Sequence, residues 1–360
     1  MEKLLIYIVT AVLGLSSCVP DAQLEWENGV DQDQQESPVV DPDENPDADS
    51  GSNPDTDPDS NPDTGGTPGP DGTQTPGMTE NESFGLCGSD EIKVMSFNIK
   101  VDKGDDPNNA NKWENRRDAC VFMIMEQYPA IIGLQEAYLR PANSASGDQY
   151  NWLKGVLKDH YDGYAVERLY GKENGYGESA GFLYNKHILT LVDKGAFWLS
   201  ETPDVPGSES WGTGKPRTAT WAIFKHNKTG KSVGYINTHL DNTSAQARAE
   251  GMKLIVKWFE EHKAGVDMQV LMGDMNAQTD ETATYQELEK VMKNTRTAAP
   301  ANRTDTHTTL NSWTFDKYKI IDHIYVSLDT KVVEYRTISN RYGNMDFISD
   351  HYPIISILKF

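Results

Sequence analysis

The sequence predicts an α/β fold and suggests four layers, with two β-sheets packed face to face and helices outside them, while composition alone leaves other α/β arrangements open. Three observations carry this expectation. Short β-like runs outnumber helix-like segments along the chain. Some runs alternate apolar and polar residues and others are continuously apolar, so both half-buried and fully buried strands are expected. The chain from residue 90 to residue 360 is long enough for one large domain.

The strands follow in order. "IKVMSFNI" runs from Ile92 to Ile99 and "AIIGLQE" from Ala130 to Glu136. "SAGFLYN", "TATWAIF", "SVGYINTHL", "MQVLMGDMN", "IIDHIYV" and "YPIISILKF" complete the set. Helix-like segments lie between them. "NKWENRRDACVFMIMEQY" has a dense apolar set from Ala119 to Tyr128, and Pro129 fits its end. "SAQARAEGMKLIVKWFEEHK" places Ala245, Ala249, Met252, Ile255 and Phe259 at helical spacing. "NWLKGVLKDHY" is a shorter helix. The segment from Phe197 to Trp221 carries three tryptophans with loop-forming Pro and Gly. Within it, Trp198 is expected in the core.

The first 89 residues differ in kind. Leu4 to Leu15 is an apolar run too short to span a bilayer, which takes about 20 residues. It has the length of a signal-peptide core, over residues 1–17. Leu15-Ser16-Ser17-Cys18 resembles the bacterial lipobox. That resemblance implies cleavage before Cys18 and lipidation of the new terminus, hence a lipid-anchored extracytoplasmic protein at the outer membrane or cell surface. Residues 18–89 contain an eight-residue repeat beginning at Asn45, Asn53 and Asn61, rich in Asp, Pro and Gly. Such a composition buries too little apolar surface to offset chain entropy, so a disordered, extended stalk is expected. The stalk also holds most of the charge. Asp21 to Asp90 contains 19 acidic residues and no Lys or Arg, out of a net charge of −22 for the chain. The folded part is therefore nearly neutral, without the basic excess of a dedicated nucleic-acid binder. Of the three cysteines, Cys87 and Cys120 remain after Cys18, too few for a disulfide framework.

A pattern recurs where strands end. "VMSF" exits at Asn98, "IIGLQ" at Glu136, "VGYINT" at His239 and Asp241, and "VLMG" at Asp274 and Asn276. "NMDFIS" leads into Asp350 and His351. Five exits rich in Asn, Asp, Glu and His suggest strands converging on one rim, where loops carry chemistry.

The motifs "MSFNIK", "GLQEA", "NTHLD", "GDMNA", "IDHIYV" and "SDHYP" occur in the order found in the endonuclease/exonuclease/phosphatase superfamily. Over Ile92 to Phe360 the chain resembles that deoxyribonuclease-I-like fold. The resemblance implies hydrolysis of a phosphoester with Mg²⁺, Mn²⁺ being the alternative ion. It implies metal ligation by Glu136, Asn98 and Asp350. It implies that Asp274 handles the attacking water and that Asn276 and His351 face the phosphoryl oxygens. Asp322 would steady His351, Glu178 would be an acidic partner for His239, and Arg217 matches a recurrent arginine. His323 is expected to point to the opposite face. Mg²⁺ prefers oxygen ligands and retains several waters, so a few carboxylates suffice. Donors aimed at the phosphoryl oxygens stabilise charge that grows in the transition state.

The substrate stays open at this level. One reading is a phosphodiesterase or phosphatase for a small or lipid-linked phosphoester, working as a monomer. A second is a nuclease for DNA or RNA, disfavoured by the near-neutral domain. A third is a non-catalytic binding lipoprotein, disfavoured because every expected site residue is present. The anchor has its own test. Cys18→Ser should move the protein from the membrane fraction to the soluble fraction, and unaltered membrane retention would rule the lipid out.

Overall fold

Parallel neighbouring strands need a crossover connection, and the chain makes two that shape the site. In a computed structural model, β1 (Glu91–Asn98) and β2 (Ile131–Gln135) pair in parallel, joined through helix α1 (Trp113–Gln127). Likewise β9 (Ser232–His239) and β10 (Met268–Asp274) pair in parallel, joined through α3 (Ala245–Glu261). The structure describes residues 88–102, 108, 111–139, 148–170, 177–305 and 307–360. All belong to one compact unit, Ser83–Phe360. The expected signal peptide, the lipidated Cys18, the acidic stalk and Cys87 lie outside the described residues.

The other strands fill in around these pairs. They are β3 (Ala137–Leu139), β4 (Tyr161–Tyr164), β5 (Gly177–Ser179), β6 (Phe182–Asn185), β7 (Leu189–Trp198) and β8 (Thr218–His226). After β10 come β11 (Met292–Asn294), β12 (Asp322–Ser327), β13 (Lys331–Thr337) and β14 (Ile354–Lys359). Three shorter helices are α2 (Gln149–Val156), α4 (Thr282–Tyr285) and α5 (Thr295–Ala298). The first sheet has the order β13-β14-β1-β2-β6-β4 and the second β11-β12-β10-β9-β8-β7. A small ladder, β3-β5, stands apart.

The two sheets share a central plan. In each, a parallel pair is flanked on both sides by antiparallel strands: β14 and β6 in the first, β12 and β8 in the second. The carboxyl ends of β1, β2, β9 and β10 therefore lie beside the amino ends of their antiparallel neighbours. The polar strand exits noted in the sequence are these ends. Between the sheets, Val94, Ile131 and Ile354 pack with Phe224, Tyr235, Val270 and Ile324. On the outer face of the second sheet, Ile236, Leu271 and Tyr325 cluster with Met252, Ile255 and Phe259 of α3. These layers give the four-layer α-β-β-α sandwich.

Beneath the strand ends the inter-sheet core turns polar. Gln135 donates to Ser96 Oγ at 3.1 Å and to Asn237 Oδ1 at 2.7 Å. Asn237 donates in turn to the Leu134 and Gly181 carbonyls, at 2.9 and 2.7 Å. A Cβ at Gly133 would lie 2.7 Å from Asn237 Oδ1 and 2.8 Å from the Tyr235 hydroxyl, so the close approach requires glycine. The bonds from Gln135 to Asn237 and from Asn237 to the Leu134 carbonyl tie one sheet to the other, which fixes their relative position under the site.

Arg116, 1% exposed, performs a similar task on the α1 side. It donates to the carbonyls of Ile99, of Ile348 (3.1 Å), of Lys100 (2.6 Å) and of Asn111 (2.7 Å). Its guanidinium also lies 5.2 Å from the Trp113 ring centroid and 5.7 Å from that of Trp313. One fork-shaped cation thus holds the exit of β1 against the segment that enters Asp350. Cys120, on the following turn of α1, is a buried free thiol.

Two differences from the sequence reading have clear causes. β7 is a ten-residue edge strand where the sequence shows no β-like run. Its centre, "VDK", is exposed and bulged between Leu191 and Asp193, which blunts an open edge but erases the strand pattern. β13 likewise is bulged between Val332 and Glu334, so its alternation breaks. Trp198 is in the core as expected, its Nε1 donating to the Arg168 carbonyl at 2.8 Å. His323 also follows expectation, bonding Ala277 O and Asn294 away from the site.

Asp241, just after β9, organises the loop that starts α3. Its Oδ1 accepts from Thr243 N, Thr243 Oγ1 and Ser244 N at 3.0, 2.8 and 2.7 Å, and its Oδ2 accepts from Thr213 Oγ1 at 2.7 Å. Burial works to raise this carboxyl, but the Thr213, Ser244 and Thr243 donors hold it well below the usual range. Its stabilising contribution is therefore full above about pH 4, the unfolded value, and is lost as the pH falls towards the folded value. Asp241→Asn should cost about 1–3 kcal/mol at pH 7. In urea melts the gap between the two proteins should narrow below about pH 4; a gap independent of pH would contradict this role.

Candidate active site

Asp274 closes β10 and is 2% exposed. In register it faces His239 at the end of β9 and Asp322 at the start of β12. Asn98, at the end of β1 in the other sheet, donates its Nδ2 to Asp274 Oδ2 at 3.0 Å and to Glu136 Oε1 at 3.2 Å. One amide therefore joins the polar ends of both sheets. Glu136 follows β2 with φ of 57°, and its Oε2 accepts the Val101 N–H at 3.1 Å. Asn276 has φ of 49° and its N–H bonds Asp274 Oδ1 at 2.9 Å, an Asx turn. Left-handed backbone at two non-glycine residues is costly, and both residues face the same cavity.

His351 stands between two carboxylates. Its Nδ1 lies 2.9 Å from Asp322 Oδ2, and its Nε2 lies 3.8 Å from Asp274 Oδ2. Asp322 Oδ1 is buried without a hydrogen-bond partner. Burial alone would lower the His351 imidazole, but Asp322 and Asp274 override it and raise it to about 10. The ring is thus held protonated at neutral pH. Asp274 is raised to about 7 by burial and by the charge on Asp322. A carboxylate titrating near neutrality suits a general base. His239 Nε2 is 3.5 Å from Asp274 Oδ2, while burial and the Arg217 guanidinium push this imidazole well below the usual range. With His239 kept neutral, Lys100, the Val101 amide and the protonated His351 hold Glu136 ionised against its burial.

These residues line one cavity of about 590 Å³. Glu136, Glu178, Arg217, His239, Asp274, Asn276, Asp350 and His351 all reach its wall. Asn98 and Asp322 sit behind it, each bonded to a residue that lines it. One placement, that of Glu178, departs from the sequence reading, and those of Asn98 and Arg217 add detail to it. Asn98 uses its amide nitrogen on Glu136 and Asp274, and its Oδ1 accepts the Lys100 N–H at 3.0 Å. Its amide nitrogen thus positions Glu136, and its Oδ1 keeps a second lone pair. Glu178 pairs with Arg168 through two bonds of 2.7 and 2.9 Å, a geometry that a histidine cannot offer it. Arg217 donates to Asn242 Oδ1 at 3.1 Å, with its Nε 3.6 Å from Asp241 Oδ2.

The sequence reading missed Lys100, Arg168 and Lys215 on the wall. Lys100 was visible beside Asn98 in "FNIK", at a strand exit already marked as functional. Arg168 and Lys215 come from irregular segments with no periodic signal.

The oxygen donors suit a hard divalent cation. Glu136 and Asp350 offer carboxylates on the same wall, and Mg²⁺ needs only one or two of these beside its waters. Asp274, Asp322 and His351 also bring ligand-type atoms within 4.8 Å of one another. There the short Asp322–His351 contact already engages Nδ1 in a hydrogen bond, so this buried trio reads as a charge network that keeps His351 protonated beside Asp274.

Comparison with known proteins agrees with the geometry. An endonuclease/exonuclease/phosphatase family protein from Bacteroides thetaiotaomicron is 28% identical, with a TM-score of 0.67 over 75% of this chain and 98% of its own. A mannosyl-6-phosphatase from the same organism is 29% identical, with a TM-score of 0.67 over 75% of this chain and all of its own. The human Nocturnin catalytic domain with bound sulfate is 16% identical, with a TM-score of 0.57 over 76% and 96%, a likeness of fold alone. The Endonuclease/Exonuclease/phosphatase family model matches residues 95–351, from the middle of β1 to His351, and this chain belongs to that family.

Proposed function

We propose that this protein is a divalent-metal-dependent phosphoester hydrolase, anchored through a lipid on Cys18 and working outside the cytoplasm. Members of its family are generally phosphoester hydrolases. The observation that carries the reading is the convergence of Glu136, Asp274 and His351, from β2, β10 and the segment before β14, on one cavity. Glu136 and Asp350 would hold Mg²⁺, or Mn²⁺ in its place, with Asn98 orienting Glu136. The bound ion would offset charge on the phosphoryl oxygens.

The chain's own groups supply the rest. Asp274 takes the proton of the attacking water as its oxygen bonds to phosphorus. The bond from phosphorus to the leaving oxygen breaks, and that oxygen leaves as an alkoxide that takes a proton from water at the cavity mouth. His351, held protonated by Asp322, donates to the phosphoryl oxygens as their charge grows. His239, kept neutral, and the second amide hydrogen of Asn276 are further donors at the same wall, since the first goes to Leu240 O at 2.9 Å. Arg217 adds fixed positive charge.

A phosphorylated sugar is the substrate we favour for first trial. The relative at 29% identity that spans the same domain is a mannosyl-6-phosphatase. The wall carries Lys100, Arg168, Lys215 and Arg217 against Asp102, Glu136, Glu178, Asp274 and Asp350. That balance lacks the basic excess expected along a nucleic-acid backbone.

The test uses p-nitrophenyl phosphate and bis-p-nitrophenyl phosphate, followed by a panel of sugar phosphates, inositol phosphates, sphingomyelin, DNA and RNA. Turnover should require Mg²⁺ or Mn²⁺ and stop with EDTA. Glu136→Gln and Asp274→Asn should each lower kcat by about 10²-fold or more while the fold is kept. Activity unchanged by EDTA, or by either substitution, would overturn the reading.

A further inference from the structure

Beyond Asn98 the chain turns sharply, with Lys100 at φ of 55°. The turn is held from both sides. Lys100 N–H donates to Asn98 Oδ1, and the Lys100 carbonyl accepts from Arg116 Nη2 at 2.6 Å and from Gln149 Nε2 at 2.9 Å. This strained backbone aims one side chain into the cavity. Its Nζ lies 3.0 Å from Asp350 Oδ2 and 3.8 Å from Glu136 Oε2. The ammonium therefore stands between the two carboxylates assigned above to the metal.

A divalent ion and an ammonium cannot share that place. A Mg²⁺ ion sits about 2.1 Å from its carboxylate oxygens, so an undisplaced Nζ would meet a double positive charge at short range. The lysine can leave. Its side chain is 35% exposed, and its four-carbon stem swings without moving the pinned backbone. Arg168, Lys215 and Arg217 already crowd the wall with positive charge, so the displaced ammonium gains most by meeting an anion in the cavity.

We propose that Lys100 is a built-in competitor for the metal, which neutralises Glu136 and Asp350 in the metal-free protein and transfers its charge to the substrate phosphoryl group when the ion enters. The proposal rests on the assignment of Glu136 and Asp350 as the metal carboxylates. Two consequences follow from linkage. Metal binding is weakened by the work of displacing the ammonium. An oxyanion that receives the displaced ammonium tightens the metal, and the metal tightens the oxyanion by the same factor.

Mn²⁺ binding, read from the electron paramagnetic resonance signal of the free ion, tests this without any turnover. Wild type, Lys100→Met, Lys100→Gln and Glu136→Gln would be titrated with and without inorganic sulfate as the tetrahedral anion. Both Lys100 variants should bind Mn²⁺ more tightly than wild type in the absence of sulfate, on the order of tenfold. Sulfate should tighten Mn²⁺ on wild type and have less effect on either variant. Without metal, the variants should melt at lower temperature than wild type, and Mn²⁺ should raise their midpoints further. Equal or weaker Mn²⁺ binding by both variants would overturn the proposal while leaving the metal assignment intact. Undiminished binding by Glu136→Gln would overturn the metal assignment, and the role of Lys100 with it.

Discussion

The site is organised around one buried carboxylate. Asp274 accepts from Asn98 of the opposite sheet and from the Asn276 amide of its own turn. It also stands within 3.8 Å of both His239 and His351. A carboxylate so far from water persists only because these groups compensate it. Asp274 is thus at once the point where the two sheets meet and the group whose proton affinity the site adjusts. Burial and the nearby Asp322 raise it, whereas Asn98 and the protonated His351 restrain it. A change to Asn98, Asn276, Asp322 or His351 acts on the chemistry through Asp274.

Topology explains why the neighbours come from distant parts of the sequence. Each parallel pair delivers two carboxyl ends to one edge, and each antiparallel flank returns an amino end there. Asn98, Glu136, His239 and Asp274 arrive in the first way, and Arg217, Asp322 and His351 in the second. The supporting parts lie one layer deeper. Gln135 and Asn237 lock the sheets beneath the site, and Arg116 locks the β1 exit to the segment that leads to Asp350. None of these three need touch substrate to set the geometry of the groups that do.

Much of this was legible in the chain. The eight apolar runs from "IKVMSFNI" to "YPIISILKF" each fall on a strand of the structure, because buried strands must carry apolar runs whatever their partners. The polar exits were legible for a related reason, since a core strand that ends in Asp, Asn or His has left the core. What stayed hidden was relational. The edge strand β7 carries Asp193 and Lys194 because it is an edge, and so lacks a strand's pattern. Glu178 reads as an acid near a histidine until Arg168, from a segment without periodicity, takes both its oxygens. The use of Asn98 as a donor depends on where Lys100 N–H falls, which spacing alone does not fix.

The central claim is that Glu136 and Asp274 act on one phosphoryl group as parts of one device. A double-substitution cycle measures this directly, by comparing kcat/KM of Glu136→Gln, Asp274→Asn and the doubly substituted protein on the same phosphoester. If the two carboxylates serve one transition state, the combined loss should be close to that of the more damaging single change. If the two losses multiply as independent factors, the groups do not act on a shared centre, and the claim of a single device is contradicted.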